Sequence, residues 1–191
     1  MVLPAVYVEC EPFFNMLAAA VETFKRECLG LVFGLPPTSV KNFFWVTNIL
    51  PLQCTRVRKN KEVEQSKRSS QALGKFFKEA GSMYSRLGHF HSHPEWGEFK
   101  GGPNLSQADI TNMASEKSVL DFLIVISSRR KGFAPWKTQE NGSVAGSLGH
   151  FNFLINAYTL ERDAEGQPVS KQLYIIARSA LRTLNKIRRS S

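Results

Sequence analysis

Apolar positions recur along this chain with two different periods, and the switching between them predicts a mixed α/β domain. Ala5 to Glu9 (AVYVE) alternates as a strand does. From Pro12 the interval lengthens: Phe13, Leu17, Val21 and Phe24 recur at helical spacing, with the proline suited to a first turn. That stripe reads as a core face. Cys28 to Phe33 is too short and too apolar for a helix, and Gly34 with Pro36-Pro37 ends it, so it reads as a buried strand. Val40 to Leu52 (VKNFFWVTNILPL) is aromatic and β-branched, the composition of a further strand. The charged stretch from Arg56 to Arg68 has few apolar residues and reads as a surface loop. A second helix is expected from about Ser69 to Ala80, with Leu73, Phe76 and Phe77 inward and Gly81 as its stop. Met83 to Phe90 then returns to strand character.

Beyond a loop rich in glycine at 97–102, Ser106-Gln107-Ala108-Asp109 opens a third helix whose Ile110 and Met113 can pack inward. Val119 to Ser127 is a strongly apolar strand, and Gly132 to Lys137 and Ser143 to Leu160 read as two more, joined by the hairpin signal Asn141-Gly142. Asp163 to Pro168 is a turn and Val169 to Ala177 a strand. A terminal helix, Arg178 to Arg189, carries Leu181, Leu184 and Ile187 as a narrow apolar seam under a basic face. The domain therefore spans 1–177, with 178–191 as a basic helix docked on it or offered to a partner.

Composition changes this picture little. A chain of 191 residues with 42% hydrophobic content can bury a single core. No apolar run approaches the ~18 residues of a membrane span, and the N-terminus lacks the basic segment of a secretory signal. Three cysteines, at 10, 28 and 54, form no C-x-x-C pair, which argues against a disulfide framework and for a reducing, intracellular setting. Charge is more suggestive. The net charge is +9, and Arg56–Arg68 holds six basic residues against two acidic ones, while Lys171–Ser191 holds six and no acid. Solvated surface explains this first. An acidic protein partner would also suit it, and nucleic acid is possible but not favoured.

The chemistry concentrates in Gly88-His89-Phe90-His91-Ser92-His93-Pro94, which holds three of the four histidines. Strand residues two apart face the same side about 6–7 Å apart. His91 and His93 can therefore both reach one metal ion at the ~2.0–2.1 Å of zinc–nitrogen bonds. Asp109, sixteen residues past His93, is a candidate oxygen ligand. Two imidazoles, a carboxylate and an open fourth position describe a catalytic zinc site, whereas structural sites close all four. His150 stands alone in a strand and reads as packed or solvent-facing. Ser106 and Asp109 also fit a helix capping box, in which serine and acid satisfy the helix amides. Glu27 likewise has two readings, a group at the mouth of its strand or the last exposed charge of an amphipathic helix. A zinc deaminase would need a glutamate after the histidine and a paired-cysteine motif, and this chain has neither.

H-x-H-P, then a serine and an aspartate three residues on, with Glu27-Cys28-Leu29-Gly30-Leu31-Val32-Phe33-Gly34 upstream, resembles the JAMM motif of MPN-domain metalloproteases. The family includes deubiquitinating enzymes, and its prokaryotic relatives process ubiquitin-like or sulfur-carrier proteins. The resemblance covers about residues 5–160. It implies an α/β MPN domain, a curved mixed sheet flanked by helices. It also implies one Zn2+ held by His91, His93 and Asp109, with Glu27 as general base and then acid and Ser106 as a donor to the oxyanion. His89 points to the same face as His91 on a regular strand but falls at a variable position of the family pattern and is not counted among the ligands, and Phe90 and Ser92 face the other way. The implied reaction is cleavage after the C-terminal tail of ubiquitin or a ubiquitin-like protein, alone or within a larger complex. A non-hydrolytic MPN-like scaffold, or a nucleic-acid-associated protein using the basic surface, is the alternative. One departure stands out: Pro94 to Leu105 puts twelve residues between the second histidine and the serine, more than the family uses. Its glycines and proline read as a longer loop that borders the substrate groove, with 56–68, and leaves the ligands in place.

Overall fold

The computed structural model describes residues 4–53, 55–58, 63–79, 85–98, 100–128 and 132–189. The expected helix stop at Gly81, the strand start at Met83 and Cys54 lie outside them.

In chain order the elements are β1 (Ala5–Val8), α1 (Cys10–Glu22), β2 (Leu29–Leu35), β3 (Phe43–Pro51), β4 (Thr55–Arg58), β5 (Val63–Gln65) and α2 (Lys67–Glu79). There follow β6 (Arg86–Glu95), α3 (Gln107–Ser115), β7 (Leu120–Ser128), β8 (Lys137–Thr138), β9 (Val144–Leu148), β10 (Phe151–Arg162), β11 (Pro168–Ile176) and α4 (Arg178–Arg189). Nine strands form one mixed sheet in the order β11-β1-β3-β2-β6-β7-β10-β9-β8. β10 also pairs with β11, from Ala157↔Leu173 to Arg162↔Pro168, and this closes seven of the strands into a barrel. The protein is thus a mixed α/β fold, a closed seven-stranded mixed barrel with four helices. Closure pairs β11 on both sides, and β9 and β8 continue the sheet beyond β10.

Alternation along the strands separates two faces. One carries the main core: Val32, Phe90, Phe122, Ile124, Ile155 and Ile175, covered by Phe13, Met16 and Leu17 of α1 and by Ala180 and Leu184 of α4. The other carries two smaller clusters. Leu73 and Phe77 of α2 pack on Leu31, Phe33 and Leu52, and Met113 of α3 packs with Leu105, Leu123 and Tyr158. His89, His91 and His93 alternate with Phe90 and therefore share this second face.

Several expectations shift in detail. The stripe of α1 is buried at Phe13 and Leu17, but Val21 is exposed, because the helix ends at Glu22 and Met16 and Ala20 take the core positions. The region 56–68 is not wholly loop. β4 and β5 form a small antiparallel pair, and α2 begins at Lys67, where the Ser66 hydroxyl accepts from the Ser69 amide at 3.1 Å. Phe76 points outward, beside the inward Phe77. Gly132–Lys137 is mostly irregular, and only Lys137–Thr138 pairs, with β9 across the Asn141-Gly142 turn. The stretch 143–160 splits at Gly149, whose φ of +55° turns the chain so that β9 and β10 pair with each other. His150 lies in that turn and is exposed. α4 docks through Ala180 and Leu184, and Asn185 exchanges hydrogen bonds with the main chain of Trp136 at 2.9 and 2.8 Å. Ile187, expected in its seam, is exposed. Among the described residues no helix is long and apolar enough to cross a membrane; Cys10 is partly buried and Cys28 buried.

Candidate metal centre

β6 lies between β2, antiparallel, and β7, parallel, so its histidines are fixed from both sides. His91 and His93 present their rings 5.1 Å apart between centroids. α3 brings Asp109 to them from across the spacer. One ligand atom from each of His91, His93 and Asp109 lies within 4.8 Å of the others, the spacing of a group that could hold a metal ion. His91 Nε2 is 3.8 Å from Asp109 Oδ1, and His93 Nε2 is 4.0 Å from Glu27 Oε1.

The two readings of Ser106 and Asp109 prove compatible. Asp109 Oδ2 accepts from the Ser106 amide at 2.8 Å and from its hydroxyl at 2.7 Å, and the Asp109 amide donates to Ser106 Oγ at 3.2 Å. This is a complete capping box at the start of α3. The cap uses Oδ2 and leaves Oδ1 aimed at His91. The Ser106 hydroxyl proton lies on Asp109, so in this arrangement Ser106 orients the carboxylate.

Glu27 is only 6% exposed, which sets aside its reading as an exposed helix-end charge. α1 stops at Glu22, and a turn with Lys25 at φ +84° brings the chain back to β2. Ser92, on the far side of β6 as expected, fixes the next residue: its hydroxyl accepts from the Cys28 amide at 2.9 Å, and its own amide donates to the Cys28 carbonyl at 3.2 Å. Lys25 reaches over the half-exposed ring of Trp96, 4.3 Å from its centroid, and so joins the chain before Glu27 to the chain after His93.

Both histidines use Nδ1 for a support and leave Nε2 for the centre. His91 Nδ1 sits 3.3 Å from Asp121 Oδ1, and His93 Nδ1 donates to the Gly102 carbonyl at 2.9 Å. Their electrostatics differ. Burial alone would push His91 below the ordinary imidazole value, but the carboxylate of Asp121, helped by Asp109 and Glu27, raises it to about 9. Burial, then the neighbouring His91, lowers His93, which favours its neutral form. Among the described residues His91 Nε2 is buried without a hydrogen-bond partner, an expensive state for a polar atom unless a cation or proton serves it. Two imidazoles and a carboxylate are a donor set suited to divalent transition metals. The residues fit a metal.

His89 shares the face but pairs elsewhere. Its Nδ1 faces Ser118 Oγ at 3.2 Å and its Nε2 faces Glu116 at 3.3 Å, in a cluster completed by Arg86. The hydrogen bond from His89, joined by Arg86, outweighs partial burial and holds the Glu116 carboxyl down at about 2. Asp121 is the residue that the sequence reading omits. It interrupts an otherwise apolar strand, and a buried carboxylate there requires a polar partner nearby, which is the signal that could have found it.

No protein-family model matches the chain, and no curated protein sequence does. Among solved structures it is similar to the solution structure of protein DSY2949 from Desulfitobacterium hafniense, with 16% identity, 90% of this chain and 93% of that chain covered, and a TM-score of 0.52. At that identity the likeness speaks for the fold alone.

Proposed function

We propose that the chain is a zinc-dependent peptidase or isopeptidase of the MPN/JAMM kind, acting at the C-terminal tail of ubiquitin or a ubiquitin-like protein. The observation that carries the reading is the convergence of His91, His93 and Asp109 within 4.8 Å, with Glu27 buried 4.0 Å from His93. It agrees residue by residue with the motif resemblance, whose MPN fold is part of the same proposal.

Zinc held there supplies Lewis-acid activation of a water molecule and of the scissile carbonyl. The remaining work falls to side chains. Glu27 takes the proton from the attacking water and returns it to the departing amine, a role typically worth about 10²–10⁴-fold in rate. Its burial, and the clamp of Ser92 on Cys28, hold it at the centre. Ser106 orients Asp109, and after rotation of its hydroxyl it donates to the developing oxyanion, an interaction of about 3–4 kcal/mol in comparable sites. Trp96 and Lys25, at the rim, are placed to border the substrate chain.

Incubation of the zinc-loaded protein with a ubiquitin-like protein fused at its C-terminus to a reporter tests this. Cleavage after the tail is expected, and Glu27→Gln should keep the zinc while losing at least about 10²-fold in turnover. A Glu27→Gln protein as active as the parent contradicts the role of Glu27, and loss of zinc with it makes Glu27 a ligand instead.

A further inference from the structure

We infer that the end of the long spacer before α3, Gly101 to Leu105, belongs to the metal centre: it is a strap that sets the ring of His93, and Asn156 and Tyr158 of β10 are positioning residues that act on His93 through it. The inference rests on the reading of His93 as a metal ligand.

A carbonyl oxygen can only accept. The contact of 2.9 Å between Gly102 O and His93 Nδ1 therefore keeps a ring proton on Nδ1 and turns Nε2 toward Glu27 and Asp109. The other tautomer, or a flipped ring, would direct a proton or a carbon at the place where a cation binds. Neighbouring Gly101 makes the contact possible. A Cβ at that position would lie 2.4 Å from His93 Cβ, closer than atoms pack, so only glycine lets the strap rest on β6.

Gly102, Pro103 and Asn104 are themselves exposed, and an exposed loop does not hold a hydrogen bond in place unaided. The hold comes from β10. The Pro103 carbonyl accepts from Asn156 Nδ2 at 3.0 Å and from the Tyr158 hydroxyl at 2.8 Å. Both side chains are nearly fully buried, and they stand two residues apart on one face of the strand. Asn156 is braced in turn by Gln172 of β11, which donates to its Oδ1 at 3.1 Å. Leu105, the last spacer residue, is inserted beside Met113, Leu123 and Tyr158. Closing a loop needs none of this, since doubling its length costs only about 0.6 kcal/mol. Two buried donors on the Pro103 carbonyl, one residue from the carbonyl that holds His93, are instead the arrangement that fixes a metal ligand from behind. The expectation of a loop that serves the substrate alone omits these contacts.

The test reaches the strap from its two sides. Tyr158→Phe keeps the packed ring and deletes the hydroxyl, and Gly101→Ala pushes the strap off His93. Zinc affinity is measured by competition with a chromophoric chelator, and the ring tautomers are read from histidine side-chain nitrogen spectra of the metal-free proteins. Each variant is expected to bind zinc about 10-fold or more weakly and to show His93 as a mixture of tautomers, with the His91 signals unmoved. Folded variants with parental affinity and an unmixed Nδ1–H His93 overturn the inference. If one variant fails to fold, the other decides. Because neither readout uses turnover, a parent protein that cleaves no ubiquitin-like fusion would defeat the proposed function and leave this inference standing.

Discussion

His91 Nδ1 lies 3.3 Å from Asp121 Oδ1, and both residues are buried, at 5% and 4% exposure. The pair spans β6 and β7, which run parallel with His89 opposite Asp121 and His91 opposite Leu123. The carboxylate holds the ring with Nε2 toward Asp109 and makes the imidazole more basic, the usual effect of a carboxylate behind a metal-binding histidine.

Asp121→Asn keeps the shape and removes the charge. Zinc affinity should fall by about 10–100-fold while the fold is retained. Competition against a chelator of known affinity measures this, and an unchanged affinity would reduce Asp121 to a local packing role.

The same pair sets a pH dependence for the metal-free protein. His91 is raised in the folded state to about 9, against about 6.5 in an unfolded chain. Its contribution to stability is therefore complete below about pH 6.5 and disappears as the pH climbs through about 9. Urea midpoints of the chelator-treated protein should fall across that window, and the Asp121→Asn protein should show a flatter profile. Equal slopes in the two proteins would mean that the pair is not formed.

Asp109 does two things with two oxygens, and substitution should separate them. Ser106→Ala removes the cap hydroxyl and should cost about 0.5–2 kcal/mol of stability, with zinc still bound though held less firmly. Asp109→Asn keeps a carbonyl oxygen for the cap but withdraws the charge facing His91, and should lose most of the zinc at little cost to the helix. Thermal unfolding and metal content, read together, distinguish the two. Identical effects on both quantities would contradict the division of labour.

The parts of this site that repeat locally were legible in the sequence. His91 and His93 share a face because strand side chains alternate, and Ser106 to Asp109 read both as a cap and as a candidate ligand; the carboxylate that completes the cap also faces His91. Glu27 was legible only through the motif, because nothing local tells a charge after a helix from one folded beside a histidine. Tertiary contacts were not legible. Tyr158 meets Pro103 across 55 positions, and no local pattern encodes that distance. Barrel closure depends on the pairing of β10 with β11 while β10 also pairs with β7 and β9, and reading the strand-like stretch 143–160 as one strand hid the break at Gly149. Trp136, in a stretch expected to be strand, is buried by packing on Phe13 and Phe153 without extended pairing of its own.

The central claim is that His91, His93 and Asp109 hold one metal ion, and elemental analysis of the purified protein tests it most directly. After dialysis against a weak chelator, the account predicts near-equimolar zinc per chain, lost in His91→Ala and in His93→Ala with the fold intact. Less than about a tenth of an equivalent of any transition metal, in protein never exposed to a strong chelator and not restored by added zinc, would contradict it.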